Sequence, residues 1–307
     1  VDGMEQLRQL RPDVYAESRY PILSEIRRYR NIFDFCMDTV TIDRCYPYIG
    51  DGGSIPVYRK LSKIAWHDAD APAFEHAYRV FRDPKFAWAL THEPGWKPSS
   101  DFPFTKAEIE QEAAKWPDDW NDGSSLHDGY GVGILRGGHG DDKRALWMMY
   151  GRARGHTQDD ILDIGLQGFQ GMLLCHMGYP RNWNYWEHSW TSHNVARQIP
   201  FCSMTAQPQL FAEAGPVRIL EARAQAYSDR VDSGEGYDLP PDDWQRRMVA
   251  LIDVAPDSFY CLDFYRISGG KDHWWAFHCQ EGDFTTGRLT LDKPRDGTLA
   301  GADVPYG

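Results

Sequence analysis

No stretch of the 307 residues approaches the roughly 20 consecutive apolar residues that a bilayer-spanning helix needs, so the sequence reads as carrying no helical membrane span and no membrane partner. Basic residues are scarce: 33 Lys and Arg stand against 45 Asp and Glu, a formal net charge of −12. A nucleic-acid binder needs a basic face, and this balance argues against one. Any site for a polyanion would have to be basic locally. The six cysteines (Cys36, Cys45, Cys175, Cys202, Cys261 and Cys279) are scattered and none forms a C-x-x-C pair. That removes the support for a zinc ribbon or a dithiol redox motif and leaves reduced thiols as the default. No secretory leader is visible at Val1, and there is no internal repeat or low-complexity tract. Gly137-Gly138-His139-Gly140 lacks a following Lys-Ser/Thr, so it reads as a hairpin loop between strands and not as a phosphate loop.

Aromatic residues, in contrast, are plentiful at 14%, with 12 Trp and 16 Tyr. Flat rings stack on the apolar face of a pyranose, and they equally fill the cores of β-proteins. The apolar spacing separates two halves. Residues 13–40 read as helical, with Leu23, Ile26, Arg30, Phe33 and Met37 three to four apart. Cys45 to Pro56 is a turn-rich loop. Further helices are expected over 57–66, over 71–81 (Phe74, Ala77, Tyr78 and Phe81 on one face) and briefly over 85–90. Thr105 with Glu108 three residues later is a capping box for a helix ending near Trp116. After residues 117–125 the pattern changes to short apolar runs parted by Gly, Asp and Pro, the signature of an antiparallel sandwich. The expected architecture is α+β, with helices over 1–121 and a β-sandwich over 122–307.

The densest polar cluster lies between Arg152 and Arg197. It gathers His156, His176, His188 and His193, four of the chain's 11 histidines, with Asp159, Asp160 and Asp163. Histidine is suited to proton transfer near neutral pH and to metal ligation. Arg152, Arg154, Arg181 and Arg197 flank the cluster, and arginine forms bidentate pairs with carboxylates and sulfates; pairing with nearby Asp and Glu is the plainer reading. Trp183, Tyr185, Trp186 and Trp190 make an aromatic loop fit either for stacking on sugars or for packing on the sandwich.

Several motifs in order resemble those of heparinase II/III-type polysaccharide lyases. Tyr48-Ile49-Gly50-Asp51 is similar to that family's Pro-x-Ile-Gly-Asp segment. His156-Thr157-Gln158-Asp159-Asp160 is similar to its His-x-His-x-Asp stretch. Gly171, His176-Met177-Gly178-Tyr179, His193-Asn194 and Asp263 to Gly270 with His273 and His278 follow in the family's order, so the likeness runs from about residue 20 to 280. Two positions depart from the pattern: the second His of His-x-His is Gln158, and the acidic residue before Gly-Tyr is His176.

The resemblance implies the C-terminal part of an (α/α) toroid followed by the family's β-sandwich. It implies β-elimination on uronic-acid polysaccharides such as glycosaminoglycans or alginate, in a secreted or periplasmic enzyme. His156 takes the proton-transfer role, and Tyr20 (or Tyr15) loosely echoes the catalytic Tyr motif. Arg152, Arg154, Arg181, Tyr185, Trp186 and Asn194 become candidates for binding an anionic polysaccharide or oligosaccharide. His176 and His193, with Gln158 or Asp160 as oxygen ligand, become candidates for one structural zinc; no organic cofactor is implied, and a homodimer stays open. Because a complete toroid is far longer than the helical stretch present, this chain alone is expected to be weakly active or inactive. Two rivals remain: a non-catalytic carbohydrate-binding or structural fragment of such an enzyme, and a cupin-like metal oxygenase, against which the helical preamble counts.

Overall fold

Arg-Pro at residues 11–12 ends the first helix, and the prolines of this region set much of the helical layout. The structure is a computed structural model that describes residues 2–16, 18–20, 27–42, 47, 49–50, 70–93, 95–117, 119–151, 158–174, 189–199, 204–226, 243–279, 285 and 287–288. Among them are five helices: α1 (Asp2–Leu10), α2 (Arg27–Asp38), α3 (Asp70–Phe81), α4 (Pro84–Thr91) and α5 (Lys106–Ala113). The helix expected from residue 13 is replaced by turns through residue 20. Pro12 and Pro21 bracket that stretch; proline lacks an N–H and disfavours helical backbone in the residue before it. The helix expected over 57–66 lies outside the described residues.

The later helices start where their caps dictate. Asp83 accepts a hydrogen bond from the Lys85 N–H at 3.0 Å, with Pro84 in the first turn of α4. At α5 the Thr105 hydroxyl accepts from the Glu108 N–H at 3.3 Å and the Glu108 carboxylate accepts from the Thr105 N–H at 2.7 Å, the expected capping box. The apolar stripes meet in one core: Phe33 and Met37 of α2, Phe74, Ala77 and Tyr78 of α3, Phe86, Trp88 and Leu90 of α4, and Ile109 of α5.

All strand pairing among the described residues is antiparallel. The first sheet runs β1 (Ser125–His127), β2 (Val132–Gly137), β3 (Arg144–Met149), β4 (Ile164–Gly168) and β5 (Gly171–Leu174), in chain order. The second has the order β10-β9-β8-β7, from β7 (Met204–Ala214), β8 (Val217–Ala226), β9 (Trp244–Ala255) and β10 (Ser258–Ser268). A short pair joins β6 (Ala196–Ile199) to β11 (Asp272–Trp275). Leu135, Leu146 and Met148 of the first sheet pack on Leu220, Ala222, Val249 and Leu251 of the second. The opposite face of the first sheet, carrying Val132, Ile134, Ala145, Trp147 and Met149, packs on Ile42 and Ile49 from the segment after α2. Every residue of β2 and β3 is therefore buried, which is why both read as unbroken apolar runs.

Two long strands carry no clear signature in the sequence. β7 contains Pro208, placed where its register against β8 shifts and on the sheet's edge, the positions in which a strand tolerates proline. β9 turns Gln245 and Arg247 inward where apolar residues would be expected, so its alternation is hidden.

Arg136 of β2 joins the helices to the sheets. Its guanidinium is 3% exposed and donates to the Asp38 carbonyl at 2.9 Å, the Val40 carbonyl at 3.1 Å and the Gly123 carbonyl at 2.9 Å. Burial pulls its pKa down to about 10, so it stays charged at neutral pH. Arg136→Met should cost about 3 kcal/mol or more, because three carbonyls lose their donor inside the protein. Urea unfolding of the variant beside the parent measures this; a loss under about 1 kcal/mol would contradict the role given to Arg136.

Candidate functional site

His193 and the acidic residues near it in sequence gather at a tight turn, Asp160-Ile161-Leu162-Asp163, that leads into β4. The Asp163 N–H donates to the Asp160 carbonyl at 2.8 Å. Leu162 lies at φ 66°, in the left-handed region, which is costly for a residue with a Cβ. The surroundings hold it there. Its side chain is fully buried, its N–H donates to the Met149 carbonyl at 2.7 Å, and its carbonyl accepts from Arg247 Nη1 at 2.6 Å.

Asp163 ties this turn to the His193-Asn194 segment. Its Oδ1 accepts from the N–H of Ile164 and that of Asn194, each at 2.8 Å. Its Oδ2 lies 3.4 Å from His193 Nδ1, and both side chains are buried. Asp160, 1% exposed, sits beside them. Its Oδ2 accepts from the Gly50 N–H at 2.7 Å, while Oδ1 has no hydrogen-bond partner among the described residues. Burial pushes the Asp160 carboxyl up to about 6, against the pull of His193 and the Gly50 N–H. Gly50 itself is at φ 56°, a conformation glycine adopts without penalty. Gln158 is 2% exposed in the same stretch.

Two arginines support the turn from beneath. Arg197 of β6, 1% exposed, donates to the carbonyls of Asp159 (3.1 Å) and Ile161 (2.8 Å) and to Gln245 Oε1 (3.0 Å). Arg247 of β9, fully buried, donates to the carbonyls of Leu162 and Asn194 and forms a two-pronged pair with Asp263 at 3.0 and 2.6 Å. The Tyr265 hydroxyl completes the layer by donating to Gln245 Oε1 at 2.6 Å.

This geometry revises two sequence readings. Arg197 is no surface anion binder; its guanidinium is committed to backbone carbonyls in the interior. Asn194, expected to bind substrate, is fully buried with both ends of its amide engaged: Nδ2 donates to the Ile164 carbonyl at 3.3 Å and Oδ1 accepts from the His278 N–H at 2.5 Å. It fixes the His193 segment against β4 and the stretch after β11. Tyr20 lies in the turns after α1, 39% exposed, with its ring 5.9 Å from that of Tyr15. His156, His176, Arg152, Arg154, Arg181, Tyr185 and Trp186 lie outside the described residues. Of the proposed zinc ligands, Gln158, Asp160 and His193 are described and buried. No three His, Cys, Asp or Glu side chains among the described residues converge as a metal site. The sequence reading gave no role to Asp163, Arg247 or Asp263. Asp263 stood in a stretch already singled out, but nothing distinguished Arg247 from its neighbour Arg246.

Arg247→Ala should destabilise the protein by about 3 kcal/mol or more, because the buried carbonyls of Leu162 and Asn194 lose their donor and a fully buried side chain is removed. Thermal unfolding monitored by tryptophan fluorescence checks this. A variant as stable as the parent would show that the turn does not depend on Arg247.

No family model matches the chain, and no curated protein matches it. Solved structures do. A heparinase III described as the BT4657 gene product matches with a TM-score of 0.55 and 12% identity over 84% of this chain. Another heparinase III structure gives 0.53 and 15% over 84%. The heparan sulfate lyase HepC from Pedobacter heparinus gives 0.53 and 13% over 85%. This chain spans only 35–36% of the length of those chains. At such identities the likeness is one of fold: an α+β chain with antiparallel sheets that resembles part of heparinase III.

Proposed function

We propose that this chain is part of a polysaccharide lyase that cleaves uronic-acid-containing polysaccharide by β-elimination, its helices being the end of an (α/α) toroid. The observation that carries the reading is the Gly50–Asp160 hydrogen bond. It joins the Tyr-Ile-Gly-Asp segment to the stretch that follows His156, two of the sequence motifs on which the lyase resemblance was based, inside a fold similar to part of heparinase III.

Elimination requires the uronate carboxylate to be neutralised, a base to remove the adjacent C5 proton and an acid to protonate the departing glycosidic oxygen. His156 is assigned proton transfer, with Tyr20 as the Tyr partner. Arg152, Arg154 and Arg181 are assigned the anionic sugar, and Tyr185 and Trp186 its apolar face. An anionic polysaccharide substrate and export from the cytoplasm go with this reading.

A structural cation also belongs to the proposal. The candidate donors among the described residues are His193, whose Nδ1 lies 3.4 Å from Asp163, the buried Asp160 carboxylate, whose Oδ1 has no hydrogen-bond partner among those residues, and the buried Gln158 amide. His176 would complete the set. Such an ion would cross-link the turn to the His193 segment.

His156→Ala, made in the longest natural form of the enzyme, should lower the release of ultraviolet-absorbing unsaturated products by about 10²-fold or more. Saturated, hydrolytic products from the parent would overturn the lyase reading, and no activity on any uronate polymer would favour a non-catalytic carbohydrate-binding role. Elemental analysis should find about one zinc per chain in the parent and much less in His193→Ala, with a lower unfolding temperature. Zinc-free parent protein that keeps its full stability after chelation would remove the cation from the proposal.

A further inference from the structure

A second cleft, of about 790 Å³, opens among α1, α2 and α3 and shares no described residue with the His193 cluster. Tyr29 of α2 and His76 of α3 meet in it, hydroxyl to Nε2, at 2.7 Å. The Tyr29 ring is held edge-on against Phe33 at 5.4 Å between centroids, so the hydroxyl has a fixed position. Arg79 follows His76 at i+3, on the same side of α3, and Gln6 and Gln9 present two amides from α1 at the same spacing.

The charges in this cleft are unevenly committed. Glu75 is 4% exposed and its carboxylate is occupied by the Trp96 indole N–H at 3.0 Å, the Ser99 N–H at 3.0 Å and the Ser99 hydroxyl. Asp101 is 77% exposed, with one carboxylate oxygen 2.9 Å from the Ser99 hydroxyl oxygen that already serves Glu75. Arg79 is held only weakly: Nη2 reaches the Asp101 carbonyl at 3.4 Å and its carboxylate at 3.5 Å, and its buried Nε has no acceptor among the described residues. Arg79 is thus a planar, permanently charged fork with unspent donors. It sits beside a hydroxyl–imidazole pair and two amides, each able to donate and to accept.

One carboxylate and several vicinal hydroxyls are what this set complements. We propose that the cleft is a sugar-acid binding site. The carboxylate of a hexuronate unit pairs with Arg79, displacing the exposed Asp101, while ring hydroxyls meet Tyr29–His76 and the Gln6 and Gln9 amides. The site is one of binding; it needs no bond to break, and it does not depend on the elimination chemistry assigned to His156. It gives the helical layer its own hold on a uronate chain.

The test is calorimetric titration of the full chain with sodium glucuronate, glucose and sodium acetate in turn. Glucuronate should bind saturably, and glucose and acetate each about 10-fold more weakly or worse, as expected for losing the charge-assisted pair or the hydroxyl contacts. Arg79→Gln should weaken glucuronate about 10-fold or more, and Tyr29→Phe and His76→Gln severalfold each, with circular dichroism unchanged. His156→Ala should leave glucuronate binding intact, which separates this site from the proposed elimination site. Absent saturable glucuronate binding, glucose or acetate binding as tightly as glucuronate, or full affinity in Arg79→Gln would each overturn the proposal.

Discussion

The buried guanidinium of Arg247 is the interaction on which the centre of this molecule depends. One side chain answers the Asp263 carboxylate across the second sheet and the carbonyls of Leu162 and Asn194 on the far side of the core. A charge this deep would be costly alone. Here each of the three nitrogens of the fork meets an acceptor, and the result is specific in geometry. It holds Leu162 in a backbone conformation a leucine would otherwise leave, and that conformation turns the chain so that Asp160 and Asp163 face His193. Arg197 does the same for the carbonyls one and three residues earlier. The acid–histidine cluster is therefore a product of the sandwich interior, held by the fully buried guanidinium groups of Arg247 and Arg197.

Much of the architecture was legible in the sequence because its signals are local. A capping box at Thr105, a proline after Asp83 and the spacing of Phe74, Ala77 and Tyr78 each act within a turn of helix, and each helix forms where they stand. The unbroken runs of β2 and β3 were equally plain. What stayed hidden was set by distant partners. Nothing near Arg247 or Gln245 tells that they point inward, since the groups that make burial tolerable (Asp263, Tyr265, Leu162) lie elsewhere in the chain. The pairing of Gly50 with Asp160 spans 110 positions. Asn194 is a sugar-ligand candidate in the sequence because His193-Asn194 falls in the order of the motifs that carry the resemblance; only the fold shows both ends of the amide already used.

The helices and the sheets are joined by polar ties as well as by apolar contact. Arg136 reaches from β2 to the carbonyls that follow α2, the Thr41 hydroxyl donates to Gln167 of β4, and Gly50 reaches Asp160. All three ties land on the short stretch between residues 38 and 50. That stretch couples the geometry of the helical layer to the turn carrying the acidic residues, so a displacement of one is felt by the other.

At its centre the first sheet lies between two partners, and β2 and β3 are buried along their whole length. Its strands β2 and β3 consequently have no position at which a substitution is without a packing neighbour, and little room to drift over evolutionary time. The second sheet is different: Tyr260, Leu262 and Phe264 of β10 lie on an outward face, 39–50% exposed. Sequence change should therefore accumulate unevenly across the sandwich. The middle layer should then keep its side-chain volumes nearly fixed while the outer face is freer to vary.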